Sequence, residues 1–369
     1  MRHKPDRLFF FLVIALAIVG FFLFASASLG LLGKPGASVN AIAFKQFIIL
    51  VIGFFLFMVT ATIDYRLWRK WSPWIFGLGI ILSLLIFIPG IGKESGGAKR
   101  WIEIYGHSFQ PSDLLRFGFI LYLAAILSRA KNDIGAVRKG LLPFLILSAI
   151  VGVLMILQPD IDTLVIMLSA GLAMFFVAGA RWSHLAIIGL IAVVAIASVA
   201  VYKPYIRARI MTYLDRTQNI QGAGWQINQS LIAIGSGGLT GRGFGQSIQK
   251  FKYLPEPIGD SVFSVASEEF GFVGSTVIIL AFLLFALAGL RIATRAPSGF
   301  GRLAAVGIVI MIMTGTFINL CSMLGLIPLT GTPLLFISHG GTALIFALAE
   351  AGIILSISRH QLTTKPQSV

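Results

Sequence analysis

Ten uncharged, apolar stretches punctuate the chain, at about 8–28, 46–63, 73–91, 114–128, 141–157, 163–180, 183–202, 271–290, 303–326 and 336–357. A helix needs ~17–25 such residues to cross the hydrocarbon of a bilayer. The fourth stretch is short between charges, and Arg116 near its start can snorkel toward the surface. Between the seventh and eighth stretches runs a long segment, 203–262, rich in Gly, Gln, Ser and aromatic residues. The pattern predicts an all-α integral membrane protein with about ten transmembrane helices, one polytopic domain over 1–369. A loop as long as 203–262 in a compact membrane protein is usually functional. The first stretch is preceded by a basic segment, and Ala25-Ser26-Ala27 resembles a signal-peptidase site. The stretch is longer than the ~7–15 residues of a signal sequence core, so an uncleaved first helix is expected.

Composition supports this reading. Of the 369 residues 57% are hydrophobic and 12% charged, about half the charge a soluble domain needs for its surface. The net charge of +15 reads as the positive-inside rule together with affinity for anionic headgroups, and no nucleic-acid partner is expected. With the N-terminus inside, the cytoplasmic segments carry sixteen basic residues: Arg2, Lys4, Arg7, Arg66, Arg69, Lys70, Arg129, Lys131, Arg138, Lys139, Arg181, Arg291, Arg295, Arg302, Arg359 and Lys365. The short outer loops carry four: Lys34, Lys93, Lys99 and Arg100. Both termini are therefore expected in the cytoplasm and the 203–262 loop outside, between helices 7 and 8. The single cysteine, Cys321, excludes an internal disulfide, and the five histidines show no zinc spacing.

Charged residues on the outer side gather in three places. The first runs from Gly97-Ala98-Lys99-Arg100-Trp101-Ile102 to Gln110-Pro111-Ser112-Asp113 and Arg116; the second is Gln158-Pro159-Asp160-Ile161-Asp162; the third is the long loop, ending at Asp260 and Glu268-Glu269. Asp113 and Asp160 follow prolines near helix starts, where a capping role competes with a functional one. Glu268 and Glu269 suit a helix N-terminal dipole. Arg100, Arg207, Arg209, Arg242, Lys250 and Lys252 form an outward basic set. Such a set is either a solvated, lipid-touching loop or a clamp for an anion such as pyrophosphate. Gly237-Gly238, Gly241, Gly243 and Gly245 are compatible with a flexible turn or with close approach of backbone N–H groups to phosphate. The residues alone lead to an outward, basic, carboxylate-containing pocket suited to a large anionic lipid.

At these same residues the sequence resembles the SEDS family (shape, elongation, division, sporulation) of peptidoglycan polymerases, nearly end to end. Further motifs that carry the resemblance are Trp225-Gln226-Ile227-Asn228-Gln229-Ser230, Gly241-Arg242-Gly243-Phe244-Gly245-Gln246-Ser247-Ile248-Gln249-Lys250, Tyr253-Leu254-Pro255-Glu256, Asn319, Gly325-Leu326-Ile327-Pro328-Leu329-Thr330-Gly331-Thr332-Pro333-Leu334 and Ser338-His339-Gly340-Gly341. Ser247-x-Gln249-Lys250 with Tyr253-Leu254-Pro255-Glu256 leans toward the division (FtsW) branch over the elongation (RodA) branch. The resemblance implies ten helices with a mobile seventh, in a bacterial cytoplasmic membrane. It implies a glycosyltransferase that joins lipid II units outside the membrane during cell division. Asp260 falls on the family's essential Asp, so the resemblance implies that the 203–262 loop carries the catalytic region. The implied substrate-binding residues are Arg100, Asp113, Arg116, Gln158, Asp160, Arg207, Arg209, Gln226, Gln229, Ser230, Lys250, Glu256, Ser338 and His339. The chain departs from the family pattern at Ile258-Gly259 (usually His-Thr), Ser261 (Phe), Asp113 (Glu), Arg116 (Lys), Asp162 (Gly) and His339 (Tyr).

The implied reaction inverts the anomeric centre, so one base suffices, with Asp260 the candidate and undecaprenyl pyrophosphate the leaving group. Positive charge for that group would come from arginines or from a divalent cation, Mg or Mn; no residue spacing specifies a metal site. Implied partners are lipid II, a class B penicillin-binding transpeptidase and other divisome membrane proteins. The chain has no Ser-x-x-Lys with the accompanying transpeptidase motifs. Two rival readings are a lipid-precursor flippase, for which Glu350 stands within the last apolar stretch while the other candidate carboxylates sit mostly at the outer edge, and a non-catalytic divisome scaffold.

Overall fold

In the computed structural model, residues 4–32, 38–95, 98–104, 107–130, 133–215 and 222–361 are described. Arg2, Lys34, Gly97, Lys131 and Lys365, used in the sequence reading, lie outside them, as does 216–221 of the long loop. Each of the ten apolar stretches falls on a helix: α1 (Arg7–Ser28), α2 (Val39–Thr62), α3 (Tyr65–Leu85), α4 (Pro111–Ala130), α5 (Leu142–Leu157), α6 (Ile161–Val177), α7 (Trp182–Tyr202), α10 (Val262–Thr294), α11 (Gly299–Met323) and α12 (Gly341–Ser358). Among the described residues, seven helical segments are long and apolar enough to cross a membrane, those of α1, α2, α4, α5, α10, α11 and α12. Ile161–Val177 and Trp182–Ala195 are shorter apolar helices. Local chemistry sets several starts. Asp6, Ser38, Asp64 and Ser298 accept capping hydrogen bonds from Phe9, Ala41, Arg66 and Gly301 N–H at 3.0, 3.3, 2.9 and 3.1 Å.

The centre of the bundle is α4, α11 and α12, which bury most of their residues. Small residues let helices close up. A Cβ on Gly79 would lie 2.8 Å from Leu115 Cα, and one on Gly118 2.7 Å from Phe76 Cα, so α3 and α4 approach backbone to backbone. The periphery carries exposed Phe44, Phe55, Trp74, Leu190, Val193 and Leu287. Such a wide apolar exterior suits lipid rather than water. Among the described residues of α7 only His184 and Ile188 are buried, so this helix lies along the side of the bundle.

Three features depart from the sequence reading. The third stretch was expected to extend to 91, but α3 ends at Leu85, and the segment after it forms an antiparallel sheet of β1 (Gly92–Ser95), β2 (Ala98–Ile104) and β3 (His107–Phe109), in the order β1-β2-β3. Secondly, the 203–262 segment contains two helices, α8 (Pro204–Leu214) and α9 (Ala223–Ser236). Thirdly, α10 begins at Val262 and is broken at Gly271, whose φ of 66° and ψ of −162° are open to glycine. Gly271 and Gly241 meet back to back there. Arg242 and Gly243 N–H groups donate to Glu268 and Glu269 C=O at 3.0 and 2.9 Å, and Phe272 and Val273 N–H to Gly238 and Leu239 C=O at 2.8 and 3.1 Å. The glycine-rich segment is thus tied to the kink of α10. Gly237 and Gly241 serve close approach to the Ser267 and Glu269 backbone, while Gly238, Gly243 and Gly245 hold positive φ.

Candidate active site

The N-terminal ends of α4, α6 and α12 meet at one end of the bundle, and there the chain encloses a cavity of ≈ 240 Å³. The sheet brings Arg100, α4 brings Asp113 and Arg116, and the start of α6 brings Asp160 and Asp162. The turn before α10 supplies Glu256, Ile258, Gly259 and Asp260, and the irregular segment before α12 supplies Thr332 and His339.

Asp260 is half-buried and precedes α10, whose N-cap position belongs to Ser261, so it is not the helix cap. Its turn is fixed by Gly259 and Ser261 N–H groups donating to Glu256 C=O at 3.0 and 3.3 Å. Two tethers reach it from elsewhere. His339 N–H donates to Ile258 C=O at 2.7 Å. Asn319 Nδ2 on α11 donates at 2.8 Å to both Asp260 C=O and Thr332 C=O. Burial pushes the Asp260 carboxyl up to about 6, with Glu256 adding to the rise while a Gln226 hydrogen bond and the Arg209 charge oppose it. Gln226 also donates to Ser261 Oγ at 3.1 Å, so α9 braces this turn from below.

The two arginines are held differently. Arg100 donates through Nε to Gln158 C=O at 3.2 Å and through Nη2 to Pro159 C=O, and its Nη1 stands 3.7 Å from Asp160 Oδ1. It clasps the turn between α5 and α6. Arg116 is buried, with Nη2 3.4 Å from Asp113 Oδ1, yet among the described residues neither Nη2 nor Nε has a hydrogen-bond partner of good geometry. Asp113 spends its other oxygen on Thr342 Oγ1 at 2.6 Å, which links α4 to α12. Arg116 is therefore a buried cation with donors to spare, which suits it to an incoming anion. Asp160 takes the N-cap position of α6 without a capping hydrogen bond; burial raises its pKa and Arg100 opposes the rise. Asp162 pairs with Arg209 Nη1 at 3.0 Å.

Seven of the fifteen residues proposed from the sequence line the cavity: Asp260, Arg100, Asp113, Arg116, Asp160, Glu256 and His339. Arg209 and Gln226 support it from behind, and Gln158 holds both Arg100 and the Ser83 C=O, at 3.1 Å to the latter. Others do not reach it. Lys250 is fully buried, pairing with Glu269 Oε1 at 2.7 Å and donating to Ser26 Oγ at 3.1 Å, so it is an internal tie and not a substrate clamp. Arg207 is exposed on α8. Gln229 is buried, Ser230 packs against Met323, and Ser338 accepts from Leu334 N–H at 2.8 Å to close a turn. Glu268 and Glu269 precede the helical segment that restarts after Gly271, as expected, and lie beside that kink. Glu268 accepts from Ser247 Oγ at 2.6 Å and from Ile248 and Gln249 N–H at 3.1 and 3.2 Å. Together they lock the 241–250 segment from beneath.

Thr342 and the structural role of Asn319 escaped the sequence reading; a buried Asn inside an apolar helix was the available signal for the second. Glu350 lies wholly buried in α12 with no hydrogen-bond partner among the described residues, and its electrostatic neighbours are Arg116 and Asp113. Among the described residues no group of three or more His, Cys, Asp or Glu side chains is arranged to hold a metal ion. Among the described residues lining the cavity, the cations are Arg100 and Arg116.

Known proteins resemble this chain in sequence and in fold. The chain matches the FtsW/RodA/SpoVE family, described as cell cycle proteins, over residues 6–363. It is 37% identical over 359 residues to the stage V sporulation protein E of Bacillus subtilis, covering 97% of this chain and 98% of the relative. It is 36% identical over 314 residues to a probable peptidoglycan glycosyltransferase FtsW of Geobacter sp., covering 85% and 86%. Among solved structures, a chain of a peptidoglycan synthase complex that coordinates polymerization and crosslinking matches with a TM-score of 0.79 at 27% identity, over 97% of this chain and 98% of that one. The Thermus thermophilus rod shape determining protein RodA matches with a TM-score of 0.70 at 26% identity, over 97% and 98%. The motifs, the helix order and these matches agree: the chain belongs to the FtsW/RodA/SpoVE, or SEDS, family of cell cycle proteins.

Proposed function

We propose that this chain is a peptidoglycan glycosyltransferase that polymerises lipid II into glycan strands in cell division. The observation that carries the reading is the cavity itself, where a carboxyl raised to about 6, Asp260, shares one enclosed space with Arg116, a buried guanidinium holding unused donors.

Chain growth requires a sugar hydroxyl to attack an anomeric carbon as lipid pyrophosphate departs. Asp260 takes the proton from the attacking hydroxyl; a carboxylate with a pKa near 6 is a better base at neutral pH than one near 4 and is still mostly ionised. The tethers from Asn319 and His339 hold its turn, so little reorganisation is left for the reaction. Arg116 and Arg100 meet the negative charge that develops on the leaving pyrophosphate. Asp113 keeps Arg116 in place at the cavity floor.

The fold supports an orientation with this cavity on the outer face of the cytoplasmic membrane and both termini inside, since the opposite end of the bundle carries Arg66, Arg69, Lys70 and Arg129. Cysteines introduced at Lys252 and at Arg138 should react with an impermeant thiol reagent from outside and from inside respectively; the reverse pattern would refute the orientation. The peptidoglycan synthase complex that resembles this chain supports a class B penicillin-binding transpeptidase as partner, to be checked by co-purification.

Purified protein given labelled lipid II, with and without that partner, should yield a ladder of glycan products on a gel. Buried Glu350 favours one second reading, a flippase. That reading would win if the protein moved labelled lipid II across vesicle membranes and made no polymer under either condition.

A further inference from the structure

At the end of the bundle away from the catalytic cavity is a second hollow, of ≈ 340 Å³, between the start of α3, the end of α4 and the start of α11. Arg66, Arg69, Lys70 and Arg129 line it with no acidic side chain among them. The nearby carboxylate, Asp64, is engaged elsewhere: it caps α3 through Arg66 N–H at 2.9 Å and faces His360 at 3.7 Å. Among the described residues none of the four cations forms a salt bridge; Arg66 rests on the Tyr65 ring, 5.8 Å from its centroid. Like charges gathered in one concavity repel, so the arrangement favours an anion in the middle.

Two independent features point to a phosphate carrying lipid tails. Tyr65 is fully buried beneath the hollow, stacked on Phe300, and it holds Arg66 at the rim. Ser298 accepts the capping bond from Gly301 N–H, so its own proton is free to donate at the start of the 25-residue helix α11. From the rim, Lys70, Trp74, Leu78 and Ile81 follow one face of α3 at helical spacing. Trp74, Leu78 and Ile81 are exposed, an apolar track that starts where the cations end.

We propose that this hollow binds the phosphate headgroup of an anionic phospholipid in the membrane leaflet next to it, with the acyl chains along the Trp74–Leu78–Ile81 face. Basic hollows between membrane helices at the cytoplasmic surface are suited to such headgroups. The site is separate from the polymerising cavity, and its test does not depend on polymerase activity.

The experiment is native mass spectrometry of the full-length protein in detergent, titrated with dioleoyl-phosphatidylglycerol, with dioleoyl-phosphatidylcholine, and with inorganic phosphate. One phosphatidylglycerol should be retained in preference to phosphatidylcholine. Each of Arg66→Gln, Arg69→Gln and Arg129→Gln should weaken it about five-fold, and the triple variant by the order of a hundred-fold. Arg138→Gln with Lys139→Gln should leave it unchanged. Equal retention of both lipids, or unchanged affinity in the single arginine variants, overturns the proposal. Inorganic phosphate that displaces the lipid at equal concentration overturns it in favour of a free-phosphate site. The single variants carry the decision if the triple variant does not fold.

Discussion

Neutralising Asp260 should make the protein more stable while stopping its chemistry. Burial, reinforced by Glu256, raises the Asp260 carboxyl from 3.8 to about 6. A shift of that size is about 3 kcal/mol of disfavour for the charged form in the folded state. The sign follows from linkage: a raised folded pKa means the native state binds the proton more tightly than the unfolded chain. The stabilising effect of that proton is present at low pH and is lost as pH rises from about 4 through 6. At pH 7 the folded protein carries the full cost, and Asp260→Asn should relieve up to about 3 kcal/mol of it. Activity runs the other way. With a pKa near 6 the base is about 90% ionised at pH 7 and about 10% at pH 5, so kcat/KM for polymerisation should fall roughly ten-fold between them. An ordinary carboxylate would lose almost nothing. Glu256→Gln removes a charge that raises this pKa, so it should move the acid limb to lower pH. The assays are initial rates on labelled lipid II from pH 5 to 8 and thermal unfolding at pH 7. A flat rate profile to pH 5, or a limb that Glu256→Gln leaves in place, would refute the argument.

Two further substitutions separate ties from ligands. Lys250→Met leaves Glu269 buried and unpaired, which should cost ~3–5 kcal/mol in thermal unfolding, while the protein that remains folded polymerises normally; a stable but inactive variant would return Lys250 to the site. Arg100→Gln should lower polymerisation at least ten-fold, with Arg100→Lys recovering only part, because a point charge does not replace a fork that grips two carbonyls and a carboxylate. Arg207→Gln, on the exposed face of α8, should change the rate less than two-fold, and a loss like that of Arg100→Gln would place Arg207 on the substrate after all.

The helices were legible because a chain in lipid must satisfy its backbone within each segment, and uncharged runs of the right length have few other solutions. The sheet around Arg100 was not read, although Gly96-Gly97 followed by the alternation of Ile102 and Ile104 is a hairpin signal; its neighbourhood of apolar stretches drew the third helix too far. The apolar pattern beginning at Gly271 marks the helical segment that Glu268 and Glu269 precede, but the short helical segment from Val262 to the kink is not legible in it. Lys250 was grouped with the outward cations because sequence distance hides its partner; Glu269 and Ser26 come from α10 and α1. Asp260 was found by resemblance, since nothing in its spacing distinguishes it from Asp160 or Asp113. What sets it apart is tertiary: the Gln226 bond and the Asn319 tether.

The central claim is that the Asp260 carboxylate does the proton transfer, and Asp260→Asn tests it most directly. The amide keeps the shape and one acceptor oxygen but is no base, and loss of general-base catalysis costs ~10²–10⁴-fold in rate. Measured on a gel with labelled lipid II, the variant should be well folded, should still bind lipid II, and should yield no detectable glycan. A well-folded Asp260→Asn protein that polymerises lipid II at near wild-type rate would contradict the account and move the search for the base to Asp160 and Asp113.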